Sequence, residues 1–215
     1  MFDALLSIIA PHYCYRCHKI GGILCKDCKK YIISQKYDIC VLCGQSLKNG
    51  NLCKKHKIPC DMIWCFTKRT GVVAEIIDDY KFNRVQAAAN LLSDFLNDAL
   101  PSLPKEAVIV PIPTISQNIR RRGFGHIEKI ANKLARNRKI ECRPLLRRRN
   151  NVTQHFTKSS RQRKRQAEDF FELSGSVDKN RRYIIIDDIF TTGSTVLAAA
   201  ECLRKNGAEH VEIAV

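Results

Sequence analysis

The sequence predicts an α/β protein with a parallel sheet and flanking helices, preceded by a small metal-binding domain. Three observations carry this prediction. Nine of the eleven cysteines lie between Cys14 and Cys65. Beyond Phe66, short apolar β-branched runs alternate with stretches of helical apolar spacing. The run from Tyr183 to Ile186 then ends in Asp187 and Asp188, followed by a hydroxyl-rich turn around Gly193. The chain divides accordingly into a zinc-binding domain over residues 1–65 and an α/β domain over residues 66–215.

With 215 residues, 45% hydrophobic and 27% charged, the composition is that of a globular protein. No apolar run reaches the roughly 18 residues of a membrane span. The opening MFDALLSIIA lacks a basic flank and is interrupted by Asp3, so it reads as a packed docking helix rather than a signal peptide. Eleven cysteines without a signal sequence point to a reducing compartment and to metal thiolates rather than disulfides. The expected location is the cytoplasm, including its periphery at the inner face of the membrane.

Cys14 and Cys17 form a CxxC pair, and Cys25 and Cys28 a second one after the spacer HKIGGIL. Gly21 and Gly22 at the middle of that spacer suggest a tight turn between two short strands. Four converging thiolates suit structural zinc. In the second group, Cys40, Cys43 and Cys53 are completed by His56 or by Cys60, with the CxxH spacing favouring His56. Pairing Cys14/Cys17 with Cys40/Cys43 is a further arrangement that the spacing allows. Two zinc ions are expected, supplying folding energy that so small a domain cannot draw from a core. Closed four-ligand sites leave no open coordination position, so any chemistry lies elsewhere.

In the second part, Val72 to Leu100 has helical spacing with a break around Lys81 to Arg84, and Pro101 and Pro104 end it. Ala107 to Pro113 reads as a strand, Gly123 to Asn137 as a helix, and Arg143 to Lys164 as loop. Strand 183–186, helix 195–205 and a strand from His210 to Val215 complete the pattern. Parallel sheets of this kind hold ligands at the carboxyl ends of their strands.

A turn running into a helix offers free backbone N–H groups and a positive dipole end to an anion. Thr191, Thr192, Ser194 and Thr195 add hydroxyls, and Gly193 lets the backbone come close. Asp187 and Asp188 would repel that anion and suit vicinal hydroxyls one sugar-width away, or magnesium. Together these groups describe a ribose 5-phosphate site. The nucleoside-triphosphate signature G-x-x-x-x-G-K-[ST] is absent from the sequence. The net charge of +16 is concentrated between Arg120 and Arg165, where 17 Lys/Arg face two acids. So long an arginine-rich run points to a polyanion or a phosphorylated ligand.

"YIIIDDIFTTGSTV" resembles the phosphoribosyl-pyrophosphate motif of type I phosphoribosyltransferases. "VIVPIP", "RRRGFGHIEKIA" and "RNNVTQ", with the cysteine pairs before them, are similar to the ComF family of competence proteins. That family joins a double zinc ribbon to a phosphoribosyltransferase domain. The resemblance implies that Asp187 and Asp188 take the ribose-hydroxyl or magnesium role, and are the catalytic pair if transfer occurs. It gives the 5′-phosphate to Thr191, Thr192, Gly193, Ser194 and Thr195. Pro113 and Thr114 would line the pyrophosphate side, Arg122 would lie near it, and Arg149 and Gln154 would sit on a mobile loop. The sequence departs from the family pattern at Gly125 and His126, where Asn and Gln are usual, and at Asn151 and Gln166.

Two functions follow. One is competence in natural transformation, with Arg147, Arg148 and Arg149 binding incoming single-stranded DNA, Tyr13, Tyr15 and Phe156 stacking its bases, and a DNA-uptake helicase and inner-membrane channel as partners. The other is magnesium-dependent phosphoribosyl transfer from phosphoribosyl pyrophosphate to an unknown acceptor.

Overall fold

A computed structural model describes residues 13–35, 37–83, 85, 87–149 and 170–215, with Arg122 described by its backbone alone. The opening docking helix, Gln154, Phe156 and the departures at Asn151 and Gln166 lie outside the described residues.

Two cysteine knuckles open the described chain, and they repeat one backbone design. A Tyr13–Ile20 bridge flanks Cys14 and Cys17, and an Ile39–Ser46 bridge flanks Cys40 and Cys43. Cys14 N donates to Lys19 O and Cys40 N to Gln45 O, at 2.9 and 2.8 Å. The tight turn needs a left-handed residue, supplied by His18 at φ 59° and by Gly44 at φ 72°. The hairpin expected across HKIGGIL is not formed: residues 21–24 are bends, and helix α1 (Lys26–Ser34) starts within the second CxxC. The bridge to Ile20 closes the turn before the two glycines, so no second strand is needed.

The sheet has five parallel strands in the order β1-β7-β6-β2-β3. These are β1 (Met62–Trp64), β2 (Val108–Pro111), β3 (Glu141–Cys142), β6 (Arg182–Ile186) and β7 (His210–Ala214). The three long strands are where the apolar runs predicted them; the short edges β1 and β3 carry too little pattern to read. The cysteine-rich stretch therefore runs on into the sheet, because β1 pairs with β7.

Every residue of β2 is buried, as a strand covered on both faces must be. Alternate residues serve opposite sides. Ile109, Ile184 and Ile186 pack with helices α2 (Gly71–Phe82), α3 (Ala88–Ala99) and α5 (His126–Arg138). Val108, Val110 and Ile185 pack with α6 (Ser194–Lys205). Fully burying one such side chain contributes about 1.5–3 kcal/mol.

The break predicted near residue 81 separates α2 from α3, and Leu100 is extended ahead of Pro101, as the residue before a proline prefers. The helix expected from Gly123 begins instead at His126. Gly123, at φ 85°, ends a separate short helix α4 (Ser116–Arg122). The segment from Arg143, expected as loop, contains strand β4 (Leu146–Arg148), antiparallel to β5 (Phe171–Leu173). Leu146 and Phe171 on this ribbon are buried in the α6-side core. Among the described residues no helix is long and apolar enough to cross a membrane.

Candidate functional site

From β2 the chain proceeds to β3 on one side, whereas β6, β7 and β1 lie on the other. The loops after β2 and β6 therefore part company, which opens a crevice at the carboxyl ends of these two central strands. Ile112 N donates to Ile186 O at 3.0 Å, so Pro113–Thr114 and Asp187–Asp188 emerge side by side.

Two side chains converge on Asp188. Lys81 Nζ lies 2.7 Å and His126 Nε2 2.9 Å from the same oxygen, Oδ2. The far ring nitrogen, His126 Nδ1, lies 3.2 Å from Thr114 Oγ1. A carboxylate only accepts, so Nε2–H donates to it, and in the neutral ring Nδ1 accepts a hydrogen bond from the Thr114 hydroxyl. The acid is deeply set, its side chain 9% exposed. Burial opposes its ionisation, but the His126 hydrogen bond and the Lys81 charge overcome this and hold Asp188 below the usual carboxylate range. Asp187 behaves oppositely: burial first, then the neighbouring Asp188 charge, push it up to about 7. Its Oδ1 accepts the Asp188 N–H at 2.9 Å.

As donors, these carboxylates have the hard oxygens that magnesium prefers. The fit is incomplete, because Asp188 Oδ2 already takes an ammonium and an imidazole N–H. Asp187, with its second oxygen, is the member of the pair able to face a cation or a sugar hydroxyl.

Beyond the acids, Gly193 caps α6 in the left-handed region at φ 73°. A Cβ there would meet the Phe190 ring at 2.3 Å, so both backbone and packing require glycine. Thr191, Thr192 and Ser194 are exposed around it and Thr195 half-buried. Thr192 Oγ1 donates to Ser194 Oγ at 3.0 Å, preshaping the turn. The expected phosphate cradle and the acid pair thus share one loop.

On the other side, a cleft of ≈ 680 Å³ is lined by Pro113, Thr114, Ser116, Arg147, Arg148 and Arg149. Arg148 Nε donates to Pro113 O at 2.9 Å, and its guanidinium lies 5.2 Å from the Phe171 ring centre. Burial lowers the Arg148 guanidinium below its usual range, opposed by the charge of Asp187. Arg147 and Arg148, within the stretch expected as loop, lie on β4 paired to β5, and Arg149 N follows with a bond to Phe170 O at 3.2 Å. Arg122 ends α4, on the helix that follows the Pro113–Thr114 loop.

The cysteines gather into two groups, Cys14, Cys17, Cys25, Cys28 and Cys40, Cys43, Cys53, His56, each with its ligand atoms within 4.8 Å of one another. The pairing is sequential rather than interleaved, and the second group closes on His56. Cys60 lies in the α6-side core, where burial pushes its thiol up to about 12. All eleven thiols are free. Cys17 and Cys25 sulfurs, like those of Cys43 and Cys53, are 3.7 Å apart. Tetrahedral zinc with Zn–S of about 2.3 Å requires an S···S edge of about 3.8 Å. Burial opposes ionisation of Cys14, yet backbone N–H groups, led by that of Cys25, bring it down to about 6. His56 Nε2 is buried with no hydrogen-bond partner among the described residues, a polar atom that a metal would satisfy. Both quartets fit zinc.

Tyr15, expected to stack on bases, is instead turned inward: its hydroxyl donates to Asp79 Oδ2 at 2.5 Å. Tyr13 is 56% exposed. Sequence reading missed Lys81 altogether, and treated His126 only as a departure from a pattern. Neither residue has a local signal, since each acts through a contact that the topology creates.

Residues 83–215 match the phosphoribosyl transferase domain family. The DNA utilization protein YhgH of Escherichia coli is 27% identical over 222 residues, covering 96% of each chain. Competence protein F of Haemophilus influenzae is 27% identical over 206 residues, 88% of each chain. Competence protein ComFC of Bacillus subtilis is 27% identical over 195 residues, 86% of this chain and 79% of the relative. The motif order, the zinc-type quartets and the site at the sheet's switch point agree with these matches, and the chain belongs to the phosphoribosyl transferase domain family, in its ComF branch.

Proposed function

We propose that this protein serves DNA utilisation in competence, holding a 5-phosphoribosyl ligand at Asp187–Thr195 and single-stranded DNA on its arginine-rich face. The observation that carries the ligand is the meeting, at one switch point, of an acid pair, a glycine-opened hydroxyl turn and an arginine-lined cleft. Ribose hydroxyls donate to Asp187, the 5′-phosphate takes the N–H groups and hydroxyls of the turn, and the pyrophosphate lies in the cleft beside Arg148. Magnesium enters as the counter-ion of the pyrophosphate. The names of the relatives, two competence proteins and a DNA utilization protein, support the biological role.

Isothermal titration with phosphoribosyl pyrophosphate, ribose 5-phosphate and single-stranded DNA tests the proposal. Binding of both sugar phosphates, abolished by Asp187→Asn with Thr192→Ala, is the expected result. No binding of either, with or without magnesium, would sink it. Transfer to an acceptor is a second reading, favoured by the cleft of ≈ 680 Å³ that would receive the departing pyrophosphate. Magnesium-dependent pyrophosphate release, lost in Asp187→Asn/Asp188→Asn, would establish it.

A further inference from the structure

Resting on the ribose-phosphate reading above, the structure points to a role for Lys81, which lies outside every motif of the site. We propose that Lys81 is the resident cation of the acid pair, standing at Asp188 where a divalent ion would otherwise bind, so that the ribose 5-phosphate half of the ligand is held without magnesium.

The placement of Lys81 is over-determined. Successive residues of a helix point about 100° apart, and three consecutive residues at the end of α2 use this to reach three partners. Asp79 accepts from Tyr15 of the first knuckle at 2.5 Å. Tyr80, fully buried, donates to His126 O at 2.8 Å. Lys81 reaches Asp188 Oδ2 at 2.7 Å, with its own side chain only 14% exposed. The helix end is further closed by Asn83, whose N donates to Asp79 O at 3.0 Å and whose Nδ2 donates to Asp79 Oδ1 at 2.6 Å. These contacts fix the helix end that carries Lys81, and with its side chain only 14% exposed the ion pair is not a loose surface contact.

That position conflicts with a metal at the same carboxylate. A magnesium ion bonds oxygen at about 2.0–2.1 Å and demands near-octahedral space. At Asp188 Oδ2 it would meet a like charge 2.7 Å from that oxygen and the His126 N–H at 2.9 Å. Two cations cannot share so small a pocket without strong repulsion. The fixed ammonium already neutralises one acid, which permits Asp187 to accept sugar hydroxyls without a bridging ion. Magnesium is then required only by the pyrophosphate half.

The test is titration of the full-length, zinc-loaded chain with ribose 5-phosphate, in magnesium-free buffer and in excess magnesium. Wild type is expected to bind equally in both. Lys81→Met is expected to lose about tenfold or more in magnesium-free buffer and to regain it when magnesium is added, while Lys81→Arg stays close to wild type. Lys81→Gln replaces Lys81→Met if the latter does not fold. Wild-type binding that needs magnesium overturns the proposal. So does a Lys81→Met protein that binds normally without magnesium, or one whose loss magnesium does not restore. Absence of ribose 5-phosphate binding under every condition would instead remove the underlying ligand assignment.

Discussion

Tyr15 donates a 2.5 Å hydrogen bond to Asp79, which hangs the first cysteine quartet on the helix that carries Lys81. Lys29 Nζ adds a second tie, 2.8 Å from Asp94 on α3. The cysteine-rich unit is thereby part of the support of the crevice beside Asp188. Tyr15→Phe is expected to lower stability by about 1 kcal/mol, since the bond is only partly buried. It should also weaken ribose 5-phosphate binding by loosening the end of α2. Urea unfolding and titration calorimetry measure the two effects, and unchanged affinity would uncouple the quartet from the crevice.

Elemental analysis should give two zinc ions per chain, one for each quartet. His56→Ala should reduce the content toward one, whereas Cys60→Ser should leave it unchanged. Loss of zinc from Cys60→Ser would return the fourth ligand of the second site to that cysteine.

Phosphoribosyl binding should strengthen as pH rises through about 7, the value to which burial and Asp188 push Asp187, because only the carboxylate accepts two hydroxyl hydrogen bonds. Asp187→Asn should abolish this step. For stability the signs of the two acids oppose. Asp187, raised, favours the fold at low pH, and that contribution is lost as pH climbs from the ordinary carboxylate range through about 7. Asp188, lowered, contributes above the ordinary range and loses its contribution as pH falls below it. A binding curve flat across neutral pH would remove Asp187 from the ligand contacts.

Gly193→Ala should destabilise by about 2 kcal/mol, from a left-handed backbone together with a Cβ 2.3 Å from the Phe190 ring. Guanidinium unfolding measures the loss, and ribose 5-phosphate binding should fall with it. Near-wild-type stability would mean that the turn relaxes at little cost.

Arg148→Ala should reduce affinity for phosphoribosyl pyrophosphate more than for ribose 5-phosphate, because Arg148 faces the Pro113 side of the cleft. Arg147→Ala, at an exposed position on the same cleft, should cost phosphoribosyl pyrophosphate less than Arg148→Ala does. Its expected effect is on DNA, where each lost phosphate contact reduces the salt slope by roughly 0.7 for a single strand. An unchanged slope would take β4 out of the DNA surface.

The apolar runs of β2 and β6, and of β7 apart from its buried Glu212, were legible because a strand buried on both faces is nearly continuously apolar. The acid pair and the Gly193 turn were legible because their chemistry is local. Strands of two or three residues, β1, β3 and β4, hold no period to detect, and they owe their pairing to neighbours in space.

The sequence by itself determined the fold class, the cysteine spacing and the glycine-centred hydroxyl turn after the acid pair, all properties of residues close in the chain. Only the tertiary structure decided that His56 rather than Cys60 closes the second quartet, that Tyr15 turns inward to Asp79, and that Lys81 and His126 meet on one oxygen of Asp188. The reason is physical. Spacing and periodicity fix what a segment presents, but which ammonium neutralises which carboxylate depends on strand order and helix packing, and these bring residues 81, 126 and 188 to a single crevice.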